Sequence, residues 1–101
     1  MANEVRLGRR FQREARRLLK KYALLRRELG ELQAQLRDNP RLGTPLGSGL
    51  YKIRLAVASK GQGKSGGMRI ITYVVVRVMP DAAVYLARIY DKFGAGKSAR
   101  Y

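Results

Sequence analysis

The sequence predicts an α+β fold in which two N-terminal helices pack on one face of a small antiparallel β-sheet. Apolar residues of the first forty positions recur with the helical period, and from Leu50 onward the period changes to two. The chain has 101 residues, which suffice for one domain over 1–101 with a modest core but not for two.

The helical part contains two apolar stripes. The first consists of Phe11, Ala15, Leu18, Leu19 and Tyr22, and the second of Leu25, Leu29, Leu32 and Leu36. Because the stripes are nearly in phase, the pattern fits one long helix or two; average helix length favours two, with a break near Tyr22 to Leu24. The helical segment should stop at Asn39, since Pro40 pushes the preceding residue out of helical space.

Strand patterns fill the second half, after a turn-rich segment at 40–49. Two sets of side chains alternate there, with Tyr51, Ile53, Leu55 and Val57 expected under the helices and Lys52, Arg54 and Ala56 on the far face. Residues 68–77 are nearly all apolar, as in a central strand covered on both faces. A turn at 79–81 then returns the chain through Val84 to Asp91, and residues 4–7 can form a further short strand.

Composition indicates a polyanionic partner. Lysine and arginine number 22 against 7 acidic residues, a formal charge of +15. Such self-repulsion costs stability, so nucleic acid or the ribosome is the favoured partner, and a merely basic soluble protein is the alternative. Cysteine and histidine are absent, which removes disulfides and the usual metal ligands. No secretory or membrane-spanning segment is present in the pattern, so we expect a cytoplasmic protein without a membrane partner, metal or cofactor.

The glycine-rich stretch "KGQGKSGG" at 60–67 resembles a phosphate-binding loop only superficially. A P-loop requires a glycine where this chain has Ala58, and it must open a helix, whereas a strand pattern follows. The similar "GAGKS" at 94–98 has Asp91 at the required position. We therefore expect a loop between adjacent strands rather than a nucleotide site, with Lys60 and Lys64 able to fold over the sheet.

Alternation also predicts a cationic sheet face interleaved with tyrosines. It groups Arg69 with Ile71 and Tyr73, and Arg88 with Leu86 and Tyr90, with Lys92 continuing the second set. Beside Lys52 and Arg54, these residues would suit unstacked bases and phosphates. Fixed cations also stabilise the charge that develops when an RNA 2′-hydroxyl attacks its phosphate, without metal.

Proton transfer in such a reaction would fall to Tyr90, Lys92 or another lysine, because the chain lacks histidine. Asp91 could serve as a base, although its parity directs it to the other face. On pattern alone Tyr90 is equally compatible with an ordinary strand aromatic. A second basic set, Arg10, Arg13, Arg17 and Lys20, shares one side of the first helix and suits either solvation or docking onto phosphates.

Several strings in this order resemble the RelE/ParE superfamily of bacterial toxins, particularly RelE-like and HigB-like members. They are "FQREARRLLKKY", "NPRLGTPLGSGLYKIRLA", "GQGKSGGMRIITYV" and "VYLARIYDK", which cover most of 11–92. The resemblance implies a cognate antitoxin and, for RelE-like members, mRNA cleavage in the ribosomal A site. By position, Lys52 and Arg54 match basic strand residues, Arg69 matches an arginine opening the next strand, and Tyr90 with Lys92 matches a Tyr-x-Lys motif.

This chain departs from the family at its end. It closes with "FGAGKSARY" where many relatives continue into a helix, so no role follows for Tyr101, and the HigB-like histidines are missing.

The resulting prediction is a ribosome-dependent mRNA endonuclease with Arg69, Tyr90, Lys92, Lys52 and Arg54 as catalytic residues. The predicted RNA- or ribosome-binding residues are Lys60, Lys64, Arg88, Tyr73, Arg10, Arg13, Arg17 and Lys20. The alternatives are a ParE-like gyrase inhibitor and a non-catalytic RNA-binding module.

Overall fold

The computed structural model describes residues 3–58, 67–78 and 81–91. Its elements are, in chain order, β1 (Glu4–Leu7), α1 (Arg9–Lys21), α2 (Leu25–Asp38), β2 (Thr44–Gly47), β3 (Leu50–Leu55), β4 (Met68–Val78) and β5 (Asp81–Asp91). The predicted α+β architecture is confirmed. The helical region is two helices, and the break falls at the predicted Tyr22 to Leu24.

The five strands form one sheet in the order β1-β5-β4-β3-β2. The four strands β2 to β5 pair antiparallel with one another in chain order, as predicted. The sheet as a whole is nevertheless mixed, because β1 pairs parallel with β5. A parallel pair needs a long crossover connection. Here the connection is the chain from α1 to β4, which separates β1 from β5 in the sequence.

The hydrophobic core lies between the two helices and one face of the sheet. All four leucines of the second stripe are buried, and Phe11 and Ala15 join them from α1. The sheet contributes a matching set, including Ile53, Met68, Ile70, Val84, Leu86 and Ile89. Burial of each large aliphatic side chain contributes roughly 1.5–3 kcal/mol, which strongly favours this strand register over a one-residue slip.

The helix ends follow from local chemistry. Helix α1 begins directly after β1, where the Gly8 N–H donates to the Leu86 carbonyl (2.9 Å), so the helix starts beside β5. Helix α2 ends at Asp38, and the Asn39 N–H closes its last turn on the Gln35 carbonyl (2.8 Å). The expected stop before Pro40 is thus observed.

A β-bulge in β5 changes one predicted grouping. Ile71 pairs with Arg88, but Thr72 pairs with Leu86, which leaves Ala87 as the extra residue. Leu86 therefore joins the helix-side core, and its predicted placement with Arg88 and Tyr90 is wrong. Because of the extra residue, side chains of β5 before the bulge point to the opposite face from the one that uninterrupted alternation predicts. Tyr85 therefore lies on the face away from the helices.

The central strand β4 is covered on both faces only in its first half. Residues 68–72 are all buried, whereas Tyr73 and Val76 are exposed. Outside the described residues lie the predicted loop cations Lys60 and Lys64, most of the predicted turn at 79–81, and Lys92. Neither helix in the described part of the chain is long and apolar enough to cross a bilayer.

Gly67 is the last residue of the glycine-rich stretch and directly precedes β4. A Cβ at this position would overlap the Leu55 carbonyl oxygen of the neighbouring strand. Only glycine allows the two backbones to approach so closely, which gives at least one glycine of this stretch a structural purpose.

We predict opposite effects for two glycine-to-alanine substitutions. Gly67→Ala should lower the free energy of unfolding by about 1–3 kcal/mol, because the backbone must shift to accept the methyl group. Gly30→Ala should raise it by up to about 1 kcal/mol, since Gly30 is an exposed helical residue with open space around its missing Cβ. Urea titrations followed by circular dichroism measure both, and an unchanged or raised value for Gly67→Ala would contradict the close approach.

Candidate nucleic-acid interface

The sheet face opposite the helices carries the candidate site, and we call this face the platform. Strand register arranges it in three rows: Arg54, Arg69 and Tyr90 in row 1, Lys52, Ile71 and Arg88 in row 2, and Leu50, Tyr73, Tyr85 and Arg6 in row 3. Directly opposite residues have Cβ atoms about 4.5–5.5 Å apart. Successive rows follow at about 6.6 Å along a strand. The predicted convergence of four site residues, Lys52, Arg54, Arg69 and Tyr90, is therefore present in the structure.

Row 1 places two arginines directly opposite each other. Arg54 is exposed, whereas Arg69 is 6% exposed and its Nη1 donates to the Met68 carbonyl at 3.5 Å. Like charges in this position destabilise a sheet. Partial burial also strengthens electrostatic interactions, because solvent screens them less. The row therefore presents two cationic side chains that an anionic ligand could contact.

Arg88, in row 2, is anchored to helix α1 through Glu14. The Glu14 Oε2 accepts from Arg88 Nη2 at 2.6 Å and from Arg88 Nε at 3.2 Å. Its Oε1 accepts from the Ile89 N–H at 3.0 Å. Strand β1 pairs with β5 only as far as Leu86, so this carboxylate covers the edge that β1 leaves open. Arg88 is 7% exposed, which makes the pair largely buried.

The same guanidinium orients the row 1 tyrosine. Arg88 Cζ lies 5.4 Å from the centroid of the Tyr90 ring, within the range of a cation–π interaction. Tyr90 in turn stands opposite Arg69. Glu14 thus binds Arg88, Arg88 contacts the Tyr90 ring, and Tyr90 pairs with Arg69 at the centre of row 1. These contacts restrict the positions that the Tyr90 side chain can adopt.

Asp91 is directed away from the platform, as its parity predicts. Its Oδ2 accepts a hydrogen bond from the Tyr22 hydroxyl at 3.3 Å, at the end of α1. This interaction ties the last strand to the helix side of the sheet. The carboxylate is therefore on the wrong face to act as a base for a ligand on the platform.

The basic residues of α1 form a second cationic surface. Arg13, Arg17 and Lys20 are exposed on the helix and are not part of the platform. Arg10 is also exposed, and its Nε lies 3.4 Å from the Glu14 carboxylate that binds Arg88. The structure thus divides the predicted binding residues between two surfaces.

Ala58, the last described residue before 59–66, is bound to helix α2. The Ala58 N–H donates to Glu28 Oε2 of helix α2 at 2.8 Å. Glu28 also lines, with Glu31, Lys52 and Arg54, a groove of about 620 Å³ between α2 and β3. The predicted roles of Lys60, Lys64 and Lys92 concern residues outside the described part and stay predictions.

Acidic side chains are too dispersed to hold a metal ion in the residues that the structure describes. Within 3–58, 67–78 and 81–91, no three Asp or Glu side chains come together in a geometry that could bind one. The chemistry that the described platform offers is that of arginine, lysine and tyrosine.

The fold corresponds to that of a recognised class of small proteins, the RelE-like toxins. The structure is similar to a solved structure of the E. coli toxin RelE, a mutant in the free state, with a TM-score of 0.60 and 17% sequence identity. The match covers 95% of this chain and 90% of that chain. No family model matches the sequence. At this identity the likeness establishes the fold, which agrees with the predicted architecture.

Three residues of this region escaped the sequence prediction: Glu14, Tyr85 and Arg6. Glu14 is one acidic residue within a basic helix, and nothing local indicates its partner. For Tyr85 a signal exists, because the helix-facing Leu86 and Ile89 are three positions apart and break the period of two. Arg6 could have been found from the alternation of Val5 and Arg6 in the first strand.

We predict that Glu14→Ala lowers the free energy of unfolding by about 2–3 kcal/mol, because it leaves the Arg88 charge buried without its carboxylate. The matched control is Glu31→Ala, since Glu31 pairs with Arg27 at 3.7 Å with both side chains exposed. An exposed pair of this kind contributes well under about 1 kcal/mol. If the two variants lose equal free energy of unfolding in urea titrations, the Glu14–Arg88 pair stabilises the fold no more than an exposed pair does.

Proposed function

We propose that the protein is the toxin of a toxin–antitoxin pair and that it cleaves mRNA in the ribosomal A site. The observation that carries the proposal is row 1, in which Arg54, Arg69 and Tyr90 stand side by side on the sheet face opposite the helices, with Arg54 exposed and the other two at most 9% exposed. Support comes also from the shared fold, since the similar solved protein is itself described as a toxin. The formal charge of +15 suits a target rich in phosphate.

The proposed reaction is an internal transfer within the RNA. The 2′-oxygen attacks the adjacent phosphorus, the bond from phosphorus to the 5′-oxygen breaks, and a 2′,3′-cyclic phosphate and a 5′-hydroxyl result. One proton leaves the attacking hydroxyl and one is delivered to the departing oxygen. The phosphoryl oxygens gain negative charge in the transition state, so fixed cations accelerate the step.

The charged residues and the tyrosine of rows 1 and 2 have roles in this scheme, together with Lys92, which lies outside the described residues. Arg69, Arg54 and Lys52 stabilise the charge on the phosphoryl oxygens. Tyr90 and Lys92 move the protons, and Arg88 holds the Tyr90 ring in place. Because these groups need no metal, the proposed mechanism uses side chains alone.

We predict that Arg69→Ala and Tyr90→Phe each reduce mRNA cleavage by at least about a hundredfold, the usual cost of losing a charge-stabilising or proton-transferring group. Tyr90→Phe keeps the ring over Arg88 and removes only the hydroxyl, so the fold should be preserved. Arg27→Ala, an exposed change on α2, serves as the charge-matched control for Arg69→Ala. Growth inhibition and primer extension on cellular mRNA measure the outcome.

The same experiment separates the proposal from its alternatives. Intact transcripts together with trapped gyrase–DNA complexes would identify a gyrase inhibitor instead. RNA binding by the wild type without any cleavage would identify a non-catalytic binding module. Full cleavage by Tyr90→Phe would remove the proposed proton-transfer role of the hydroxyl.

We further predict an antitoxin whose acidic segment covers the platform or the basic surface of α1. Association between surfaces of opposite charge slows as salt rises, because ions screen the attraction. Two charge reversals locate the surface: Arg13→Glu with Arg17→Glu on α1, and Lys52→Glu with Arg54→Glu on the platform. The pair that slows association most identifies the covered surface, and an association rate independent of salt would contradict the prediction.

A further inference from the structure

Row 3 of the platform contains an aromatic pair that the proposed cleavage does not use. Tyr73 of β4 and Tyr85 of β5 stand directly opposite each other, with Leu50 on one side and Arg6 on the other. The pair exists because the β5 bulge directs Tyr85 to this face. Tyr73 is 43% exposed, whereas Phe11, Tyr22 and Tyr90 are at most 9% exposed. The Tyr73 ring is therefore available to a ligand.

The pair is continuous with the cationic rows. Tyr73 lies four residues from Arg69 along one strand, a distance of about 13 Å, which a few extended nucleotides can span. Lys52 and Ile71 occupy row 2 between them. At the far end, Arg6 has a side chain that is 51% exposed and pairs with Glu4 at 2.9 Å. The hydrogen bond that Arg6 donates to the Glu4 carboxylate raises the pKa of Arg6.

We propose that Tyr73 and Tyr85 form a base-stacking subsite for single-stranded RNA, in which one unstacked base lies on the tyrosine pair and Arg6 contacts its phosphate. The inference rests on the proposed function, since it assigns a second position along the same RNA. Tyrosine rings beside cations are what sequence-tolerant single-strand binding uses. Cations in rows 1 and 2 followed by the exposed Tyr73 ring favour RNA, which offers a base beside each phosphate, over an acidic peptide, which offers carboxylates without bases to stack.

Binding is tested separately from cleavage with a short oligoribonucleotide whose 2′-hydroxyls are all methylated, so that it cannot be cut. Its dissociation constant is measured by anisotropy for the wild type, Tyr73→Ala and Tyr85→Ala. We expect each alanine variant to bind roughly tenfold more weakly, the usual loss for one stacking side chain. Tyr73→Phe and Tyr85→Phe should bind like the wild type, because the ring is retained.

The matched control is Val76→Ala. Val76 is 42% exposed on the same strand as Tyr73. It lies two positions from the core residue Val74, so it is on the helix side of the sheet and not on the platform. It should leave RNA binding unchanged. A second readout uses a series of oligonucleotides, each of which lacks one base at a different position. One of them should bind the wild type more weakly than the intact oligonucleotide does. The same missing base should not weaken binding to Tyr73→Ala any further.

The outcomes distinguish the subsite from the proposed function. Alanine variants that bind like the wild type, or a phenylalanine variant that loses binding, overturn the stacking subsite even if mRNA is cleaved. Weaker antitoxin association with unchanged RNA binding assigns this face to the antitoxin and also overturns it. Stacking-dependent binding by a wild type that cleaves no mRNA supports the subsite and overturns the nuclease.

Discussion

The interaction on which the rest of the platform depends is the contact of the Glu14 carboxylate with the open edge of β5. A strand edge without a partner exposes backbone donors and acceptors, and β1 covers β5 only as far as Leu86. One carboxylate oxygen satisfies the Ile89 N–H and the other binds the Arg88 guanidinium. The contact fastens α1 to the last strand. It also fixes Arg88 against Tyr90, the residue that faces Arg69.

The platform itself is a local departure from the most stable arrangement. Opposed arginines repel, and an apolar pair in their place would pack better. The opposite face of the same strands compensates, because it buries a continuous set of aliphatic side chains under two helices. Sites that must bind anions commonly carry this kind of local conflict, and the surrounding fold tolerates it.

A shared fold does not determine a shared activity, because one scaffold can host unrelated functions. The similarity to the RelE toxin therefore establishes the arrangement of strands and helices, and the argument for RNA rests on particular side chains. Those side chains have a common direction. Cations and tyrosines follow one sheet face from Arg54 and Arg69 to Tyr73, Tyr85 and Arg6, so that positively charged and aromatic side chains occur in succession.

The sequence by itself determined the helical N-terminal segment, its stop before Pro40 and the alternation of β3, because these depend on neighbours within a few positions, and composition gave the strongly basic character. Average helix length favoured two helices, but the apolar pattern fitted one as well. The sequence also placed Lys52, Arg54 and Arg69 on one face correctly. Tertiary structure alone decided the parallel position of β1, the bulge that exchanges Leu86 for Tyr85, and the Glu14–Arg88 pair. The partners of that pair are 74 residues apart, so no local periodicity encodes their meeting. Only the packing of α1 against the edge of the last strand brings them together.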